Sequence, residues 1–340
     1  MILSAERLEP AVAAIFRAAG SPEREAGLIA RHLVEADLRG HGSHGIGVVP
    51  GYVAAAGRGD LVLGRDLAVI VDVRALLLCD GGRGAGQVMA HDAMALAIER
   101  AAAHGTCVLA LRDSYHVGRI GHWAEQCAAA GLVSVHFVNV PGAAVVAAFG
   151  GTAGRLGTNP FAAGFPRPGA DPIVVDFATS RLAYGKVRVA HAKGEPVPPG
   201  TLLDAAGRPT TDPADLFAVP AGVLLPFGEH KGFGLALACE LLAGALTGGR
   251  TQDGTPGLML NSMLSVVVSP EALGTAAAYR SSLDTVAAWL RSEEGVRLPG
   301  EPETETRSRR LREGIPIDPT TWAAVEAAAA SVGVGIDALV

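Results

Sequence analysis

Leu8, Val12, Ile15 and Ala19 step along the chain by four, three and four. That spacing lines one face of a helix, with Ser4 placed to cap its start and Gly20 to stop it. A second helix follows almost at once. Ser21 as N-cap, Pro22 at the first helical position, and Glu23 and Glu25 in the first turn open "REAGLIARHLVEADLRG", which stops at Gly40. The period then changes. Residues 67–79, "LAVIVDVRALLLC", predict two short strands, followed by a helix over about 87–104 and a strand at "TCVLAL". A helix over "WAEQCAAAG" and strands at "LVSVHFVNV", "PIVVDFA" and "MLSVVV" complete an alternating α/β pattern without a strict repeat. Residues 141–171 and 191–227 are rich in glycine and proline, and are expected to form long functional or interfacial loops.

Composition narrows the class. With 340 residues, 49 % hydrophobic and 18 % charged, the chain can bury a sizeable core and has room for two or more domains. The net charge is −6, and the single basic cluster, Arg307, Arg309, Arg310 and Arg312, follows Glu303 and Glu305. Glu303 with Arg307 and Glu305 with Arg309 are i, i+4 pairs on a solvated helix face, so no nucleic-acid partner is expected. Cys79, Cys107, Cys127 and Cys239 form no C-x-x-C pair and read as buried thiols in a reducing compartment. "MILSAERLEP" lacks a signal-peptide core, and no apolar run approaches about 18 residues, so the expectation is a cytoplasmic protein with no membrane partner.

Four stretches carry candidate chemistry. "LLLCDGGRGAGQVMAHDAMALAIERA" opens like a dinucleotide fingerprint, but from Gly82 the third glycine is replaced by Gln87, and from Gly84 by Met89; the Rossmann reading is declined. "LRGHGSHGIGVVP" sets His41 and His44 among glycines where a helix ends. An imidazole there can exchange a proton near neutral pH, and Ser43 can orient it; equally, both histidines could serve as helix caps. A zinc site would need further ligands, and the other histidines form no H-x-x-x-H pair enclosing an acid, so no metal is expected. "RDSYHVGRIGHWAE" places His116 between a strand and a helix, a position as natural for a plain loop histidine as for a catalytic one. "FGEHKGFGLALACELLAGALTGG" puts Gly228, Gly232 and Gly234 ahead of a helix with Lys231 at its mouth, either an anion site or a glycine-rich turn; "GTNP" at 157–160 is a weaker anion candidate.

Taken together, "ADLRGHGSHGIG", "GTNPFAAGFP", "VVDFATSRLAYGK", "HKGFGLALACELLAGALTGG" and "LPGEPE" followed by "RRLREGIP" resemble, in order and over almost the whole chain, the malate/L-lactate dehydrogenase superfamily of the non-Rossmann type. "HVGRIGHWAEQCAAAGLVSVHFVNV" and "RVAHAKGEPVPPG" look most like its hydroxycarboxylate dehydrogenase branch. The resemblance implies an α/β (α+β) fold: a non-Rossmann NAD(P)-binding domain whose mixed, largely antiparallel sheet is flanked by helices, plus a helical domain from both termini. The expected segments are 1–70 with 296–340 as helical substrate and dimer domain, 71–130 as an α/β connection, and 131–295 as the nucleotide-binding sheet domain. It implies a homodimer that reduces a 2-oxo acid to a 2-hydroxy acid with NADH or NADPH, His44 giving the proton, Ser43 orienting it and His116 as second catalytic histidine. By motif match, NAD or NADP would contact Thr158, Asn159, Asp176, Ala178, Thr179, Ser180, Lys231 and the Gly300-Glu301-Pro302 turn, with Lys186 close by. Tyr52 and Thr158 would face the substrate. Many members carry "SHGVGRLPRY", whose first arginine grips the substrate carboxylate; this chain has "SHGIGVVPGY", with Val48 and Gly51 in place of two arginines. Arg119 is the expected replacement cation, Arg188 the second choice, and Val48 would open an apolar pocket for a larger side chain. Two other readings stand beside this one: an imine reductase acting on cyclic or N-alkyl imino acids, and a cofactor-binding protein without activity.

Overall fold

The computed structural model describes residues 1–255 and 257–336, and its first helices begin where the apolar period begins. Ala5–Ala18 (α1) and Glu23–Leu38 (α2) bury Leu8, Val12 and Ile15 against Ile29 and Leu33. Further along lie Val49–Arg58 (α3), Gly86–His104 (α4), Gly121–Ala129 (α5), Tyr184–Lys193 (α6), His230–Cys239 (α7), Ala276–Arg291 (α8), Glu301–Glu313 (α9) and Pro319–Ser331 (α10). Ser21 does not cap α2. Its hydroxyl donates to the buried Glu25 carboxylate at 2.8 Å, and Glu25 also accepts the N–H of Gly64 at 2.9 Å, because a buried acid needs donors more than the helix end does. Pro22 takes the cap position.

Seven strands form the main sheet: Ala68–Val73 (β1), Leu76–Asp80 (β2), Thr106–Ser114 (β3), Val133–Asn139 (β4), Phe161–Phe165 (β5), Ile173–Phe177 (β6) and Asn261–Val268 (β7), in the order β1-β2-β3-β7-β4-β5-β6. Only β2 and β3 run parallel; every other neighbouring pair is antiparallel. The parallel pair is joined by α4, the crossover that parallel strands require. The sheet is therefore mixed and largely antiparallel, as the resemblance implied.

The glycines between β2 and α4 have a packing role. A side chain on Gly86 would stand 2.1 Å from the carbonyl oxygen of His116, so glycine here lets the loop leaving β3 lie against the start of α4. The two long segments are more ordered than their composition suggested. The first holds β5 and the short strands Val146–Ala147 and Gly154–Leu156; the second holds Leu202–Leu203, Pro209–Thr210, Val223–Leu224 and part of α6. These short strands pair in a five-stranded sheet with its own small core of Val146, Val187, Val197, Leu202, Leu216 and Leu224. Each is too brief to show a period, and pairing supplies what local propensity lacks.

One continuous core runs from α1, α2, α3 and α10 through α4 and α5 to β2, β3, β4 and β7. The chain ends meet: Ile2–Leu3 pairs with Ile315–Pro316, and α9 packs on α2. The i, i+4 pairs expected along α9 do not form. Glu303 faces His41 at 3.5 Å and Arg307 reaches Glu35 at 2.8 Å, because the packing of α9 on α2 brings half-buried partners that are already held in place within reach; Glu305 pairs with the exposed Arg297, just ahead of α9. Residues 337–340 of the segment expected at 296–340 lie outside the described residues. Gly232 and Gly234, expected ahead of a helix, lie within α7. All four cysteines are buried and unpaired. Among the described residues, no helix is long and apolar enough to cross a membrane.

His136 on β4 is wholly buried, its ring nitrogens 2.8 Å from Ser265 Oγ and 2.9 Å from Ser134 Oγ, and burial pushes its pKa down to about 3. Between about pH 6.5 and that value the unfolded chain binds a proton here that the folded chain refuses, so acid lowers stability by about 1.4 kcal/mol per pH unit from this group. The His136→Gln variant, compared with the parent by urea denaturation from pH 6.5 to 4.5, is expected to lose that much of the slope.

Candidate active site

The α2 helix closes through its backbone. The N–H of Gly40 donates to the carbonyl of Asp37 at 3.0 Å and that of His41 to Ala36 at 2.8 Å, with Gly40 left-handed at φ 86°, so neither histidine ring caps it. The imidazole of His41 turns to Glu303. The short 3-10 turn Gly42–His44 then carries His44 into a cleft of about 540 Å³. What fixes this turn is Asp37, a residue the motif reading passed over. Its buried carboxylate accepts the N–H of Ile46 at 2.8 Å. A side chain on Gly45 would lie 2.0 Å from the same carboxylate, so only glycine admits the contact. Burial raises the Asp37 pKa to about 7, against the opposing pull of the Ile46 N–H and of Arg310. The signal was present: Ile29, Leu33 and Asp37 follow one another at intervals of four on the buried face of α2.

His116 enters the cleft from the loop after β3, and its ring stacks on His44 with centroids 5.3 Å apart and planes 14° from parallel. Tyr52, on α3, also lines the cleft, but its hydroxyl is 2.6 Å from His116 Nδ1. Nδ1 of His44 is enclosed without a hydrogen-bond partner, which leaves Nε2 as the nitrogen open to the cleft. Burial holds the His44 imidazole well below its usual pKa, and the positive fields of His116, His41, Arg119 and Arg188 add to this. Burial alone lowers His116 to about 4. Both rings are therefore neutral at pH 7. Ser43 lines the cleft, makes no hydrogen bond to His44, and packs where a side chain on Gly185 would come within 2.4 Å of its Cβ.

Arg119, expected to hold a substrate carboxylate, is already engaged. Its guanidinium is buried, with Glu125 at 2.6 Å and Asp176 at 3.9 Å, and Arg39 meets the other oxygen of Glu125 at 3.3 Å. Burial pushes the Asp176 carboxyl up, while Arg119 pulls it down. Arg188 also lines the cleft, and among the described residues neither it nor Arg181 or Lys186 forms an ion pair. Val48 and Gly51 line the wall, where they continue an apolar surface of Val117, Ile120, Val138 and Met259.

The residues matched to a nucleotide divide. Thr158, Asp176, Ala178, Ser180 and Lys186 line the cleft. Gly300 and Pro302 line a second cavity of about 300 Å³ that shares His41, Arg119, Asp176 and Phe177 with the first. Thr179 is buried, its hydroxyl donating to the Thr158 carbonyl at 2.9 Å. The Asn159 side-chain nitrogen donates to Glu240 at 2.8 Å and to the Ala236 carbonyl, and its oxygen accepts the N–H of Val140, so both of its donors are spent inside the protein. Glu301 accepts from its own helix start at Leu298 and pairs with Arg291, and Lys231 stands exposed on α7, lining neither cavity. Arg181 and Lys186, unpaired on the wall of the larger cleft, suit a ligand bearing phosphates.

The sequence model for malate/L-lactate dehydrogenases matches residues 3–326. The chain belongs to this family. It is 46 % identical to hydroxycarboxylate dehydrogenase B of Escherichia coli (strain K12), over 97 % of this chain and 94 % of that protein. It is 41 % identical to the L-lactate dehydrogenase of Cupriavidus necator, over 91 % of both. The solved structure of delta1-piperideine-2-carboxylate reductase from Pseudomonas syringae pvar. tomato superposes with a TM-score of 0.88 at 30 % identity, covering 96 % of this chain and 99 % of that one. Family membership makes the protein an oxidoreductase of CH–OH groups in hydroxy acids and implies a nicotinamide cofactor.

The Asp37 contact generates a sharp test. Gly45→Ala forces its Cβ into the carboxylate and is expected to lower unfolding free energy by about 1 to 3 kcal/mol in urea melts and to reduce turnover further than that loss explains; an alanine tolerated at full activity would show that the turn does not depend on this contact.

Proposed function

We propose that the protein reduces a 2-oxo acid to the 2-hydroxy acid, reversibly, with His44 as proton donor. The observation that carries this reading is the stacked His44 and His116 pair on the wall of a cleft sized for a small acid beside a larger cofactor. NADH or NADPH, when bound, supplies the hydride. The chain's own part is to hold the acid, present a proton where the carbonyl oxygen becomes an alkoxide, and keep water away. Residues fitted to hold the cofactor are Thr158, Asp176, Ala178, Ser180 and Lys186, with the Gly300 and Pro302 turn at the adjoining cavity.

Two imidazoles this close oppose double protonation, so the pair holds at most one proton readily. An arriving substrate carboxylate offsets the positive fields that depress His44 and raises its affinity for a proton when one is needed. In the resulting balance, one hydride and one proton add across the carbonyl, and the reverse reaction returns both.

The substrate carboxylate is assigned to Arg188, since Arg119 is engaged with Glu125 and Asp176. The apolar wall at Val48 and Gly51 favours a 2-oxo acid with a larger apolar side chain. A homodimer belongs to the same reading, supported by the exposed Leu241 and Leu246 beyond α7, at 52 % and 67 %. Four unpaired buried thiols support a reducing, cytoplasmic setting.

His44→Ala is expected to lower kcat for 2-oxo acid reduction by about 10² to 10⁴, read as loss of reduced-cofactor absorbance with NADH and NADPH in turn. Near-normal turnover would remove the assignment, and activity on pyruvate only with added methylamine would move the reading to imine reduction. Arg188→Gln is expected to raise KM for the acid by about 10- to 100-fold with little change in cofactor KM; an unchanged KM would return the anchor to another group.

A further inference from the structure

Behind the histidine pair lies a second layer that the proposed reaction does not use. The amide nitrogen of Gln87, on the first turn of α4, donates to the Tyr52 hydroxyl at 2.7 Å, and that hydroxyl is 2.6 Å from Nδ1 of His116. Tyr52 is 4 % exposed and Gln87 1 %, so water does not compete for either bond. A phenol has one proton to donate. With its oxygen accepting from Gln87, the Tyr52 O–H is directed at His116 Nδ1, because the other acceptor within reach among the described residues, the His116 carbonyl, is 3.5 Å away. Nδ1 of His116 then accepts, and the ring's single proton resides on Nε2, the nitrogen left for the cleft.

We propose that Gln87 and Tyr52 are positioning residues that fix His116 as the Nε2–H tautomer, so that it offers a neutral hydrogen-bond donor to the substrate carbonyl while His44 supplies the proton. The direction of donation is the whole content of the assignment. A chain running the other way, from His116 through Tyr52 to the Gln87 carbonyl, would put the proton on Nδ1 and present the cleft with a bare acceptor, which repels a carbonyl oxygen. The backbone supports the arrangement independently: Gly86, adjoining Gln87, is the residue that lets the His116 carbonyl approach α4. The role of His116 toward the carbonyl rests on the proposed reduction; the tautomer does not.

The experiment is nitrogen NMR on the full-length protein labelled with ¹⁵N-histidine, the His116 signals being identified by their loss in His116→Gln. At pH 7 the wild type is expected to show a protonated Nε2 and a bare Nδ1 at His116; a protonated Nδ1 overturns the proposal whatever the variants do. Tyr52→Phe is expected to give a mixture of tautomers and to lower kcat by about tenfold or more while KM for the 2-oxo acid stays within about twofold. Gln87→Met keeps the hydroxyl and frees its rotation, and is expected to show a partial mixture and a smaller fall in kcat. Unchanged kcat in Tyr52→Phe overturns the positioning role even if the wild-type tautomer is as stated. Normal turnover in His44→Ala would instead sink the proton-donor reading and leave the His116 tautomer standing, so the two failures are told apart.

Discussion

The carboxylate of Asp37 accepts the N–H of Ile46 inside the packed face between α2 and the turn that follows, and the cleft is built outward from that bond. Removing a carboxylate from water is unfavourable unless donors replace the lost hydration. Here one backbone donor and the field of Arg310 do so in part, which is why the group is pushed up to about 7 instead of being a settled anion. The arrangement holds because Gly45 has no side chain to meet the carboxylate. It also ties α9 to the site, since Arg310 donates to the Asp37 carbonyl. One acid at the end of one helix thus sets the direction in which His44 leaves it.

The cleft separates charge from chemistry. Neutral imidazoles stand on its wall, an apolar surface continues from Val48, and the buried cation Arg119 is balanced by Glu125 and Asp176. That balance does structural work in three directions, joining α2 through Arg39, α5 through Glu125 and β6 through Asp176. Breaking one partner would leave a buried charge exposed to nothing, so such a group is poorly suited to be lent to a passing substrate. The unpaired cations on α6 and at its entry have no such duty. They line the cleft, where a ligand's negative charge can reach them.

Much of the fold could be read along the chain because amphipathic helices and long strands announce themselves by period. The α1, α2 and α4 helices and the strands β1 to β4 fall where the apolar spacing put them. The five-stranded sheet could not be read so, since its strands are two or three residues long and owe their conformation to partners far away in sequence. Similarly, Ser21 and Glu305 carry the right residue types for a cap and a helix pair, yet a buried acid and a neighbouring arginine outbid those local partners.

The sequence alone determined the alternation of helix and strand, the glycine-bounded histidine turn, and the family resemblance carried by the motifs; each depends on residue identity and local spacing. Tertiary structure decided what those residues face. It brought His44 and His116, 72 positions apart by subtraction of their numbers, to a stack of 5.3 Å, occupied Arg119 with carboxylates from two other elements, and set Tyr52 and Gln87 behind the second histidine. Hydrogen bonds and ion pairs are short-ranged, so their partners are chosen only when packing has already brought distant segments within reach.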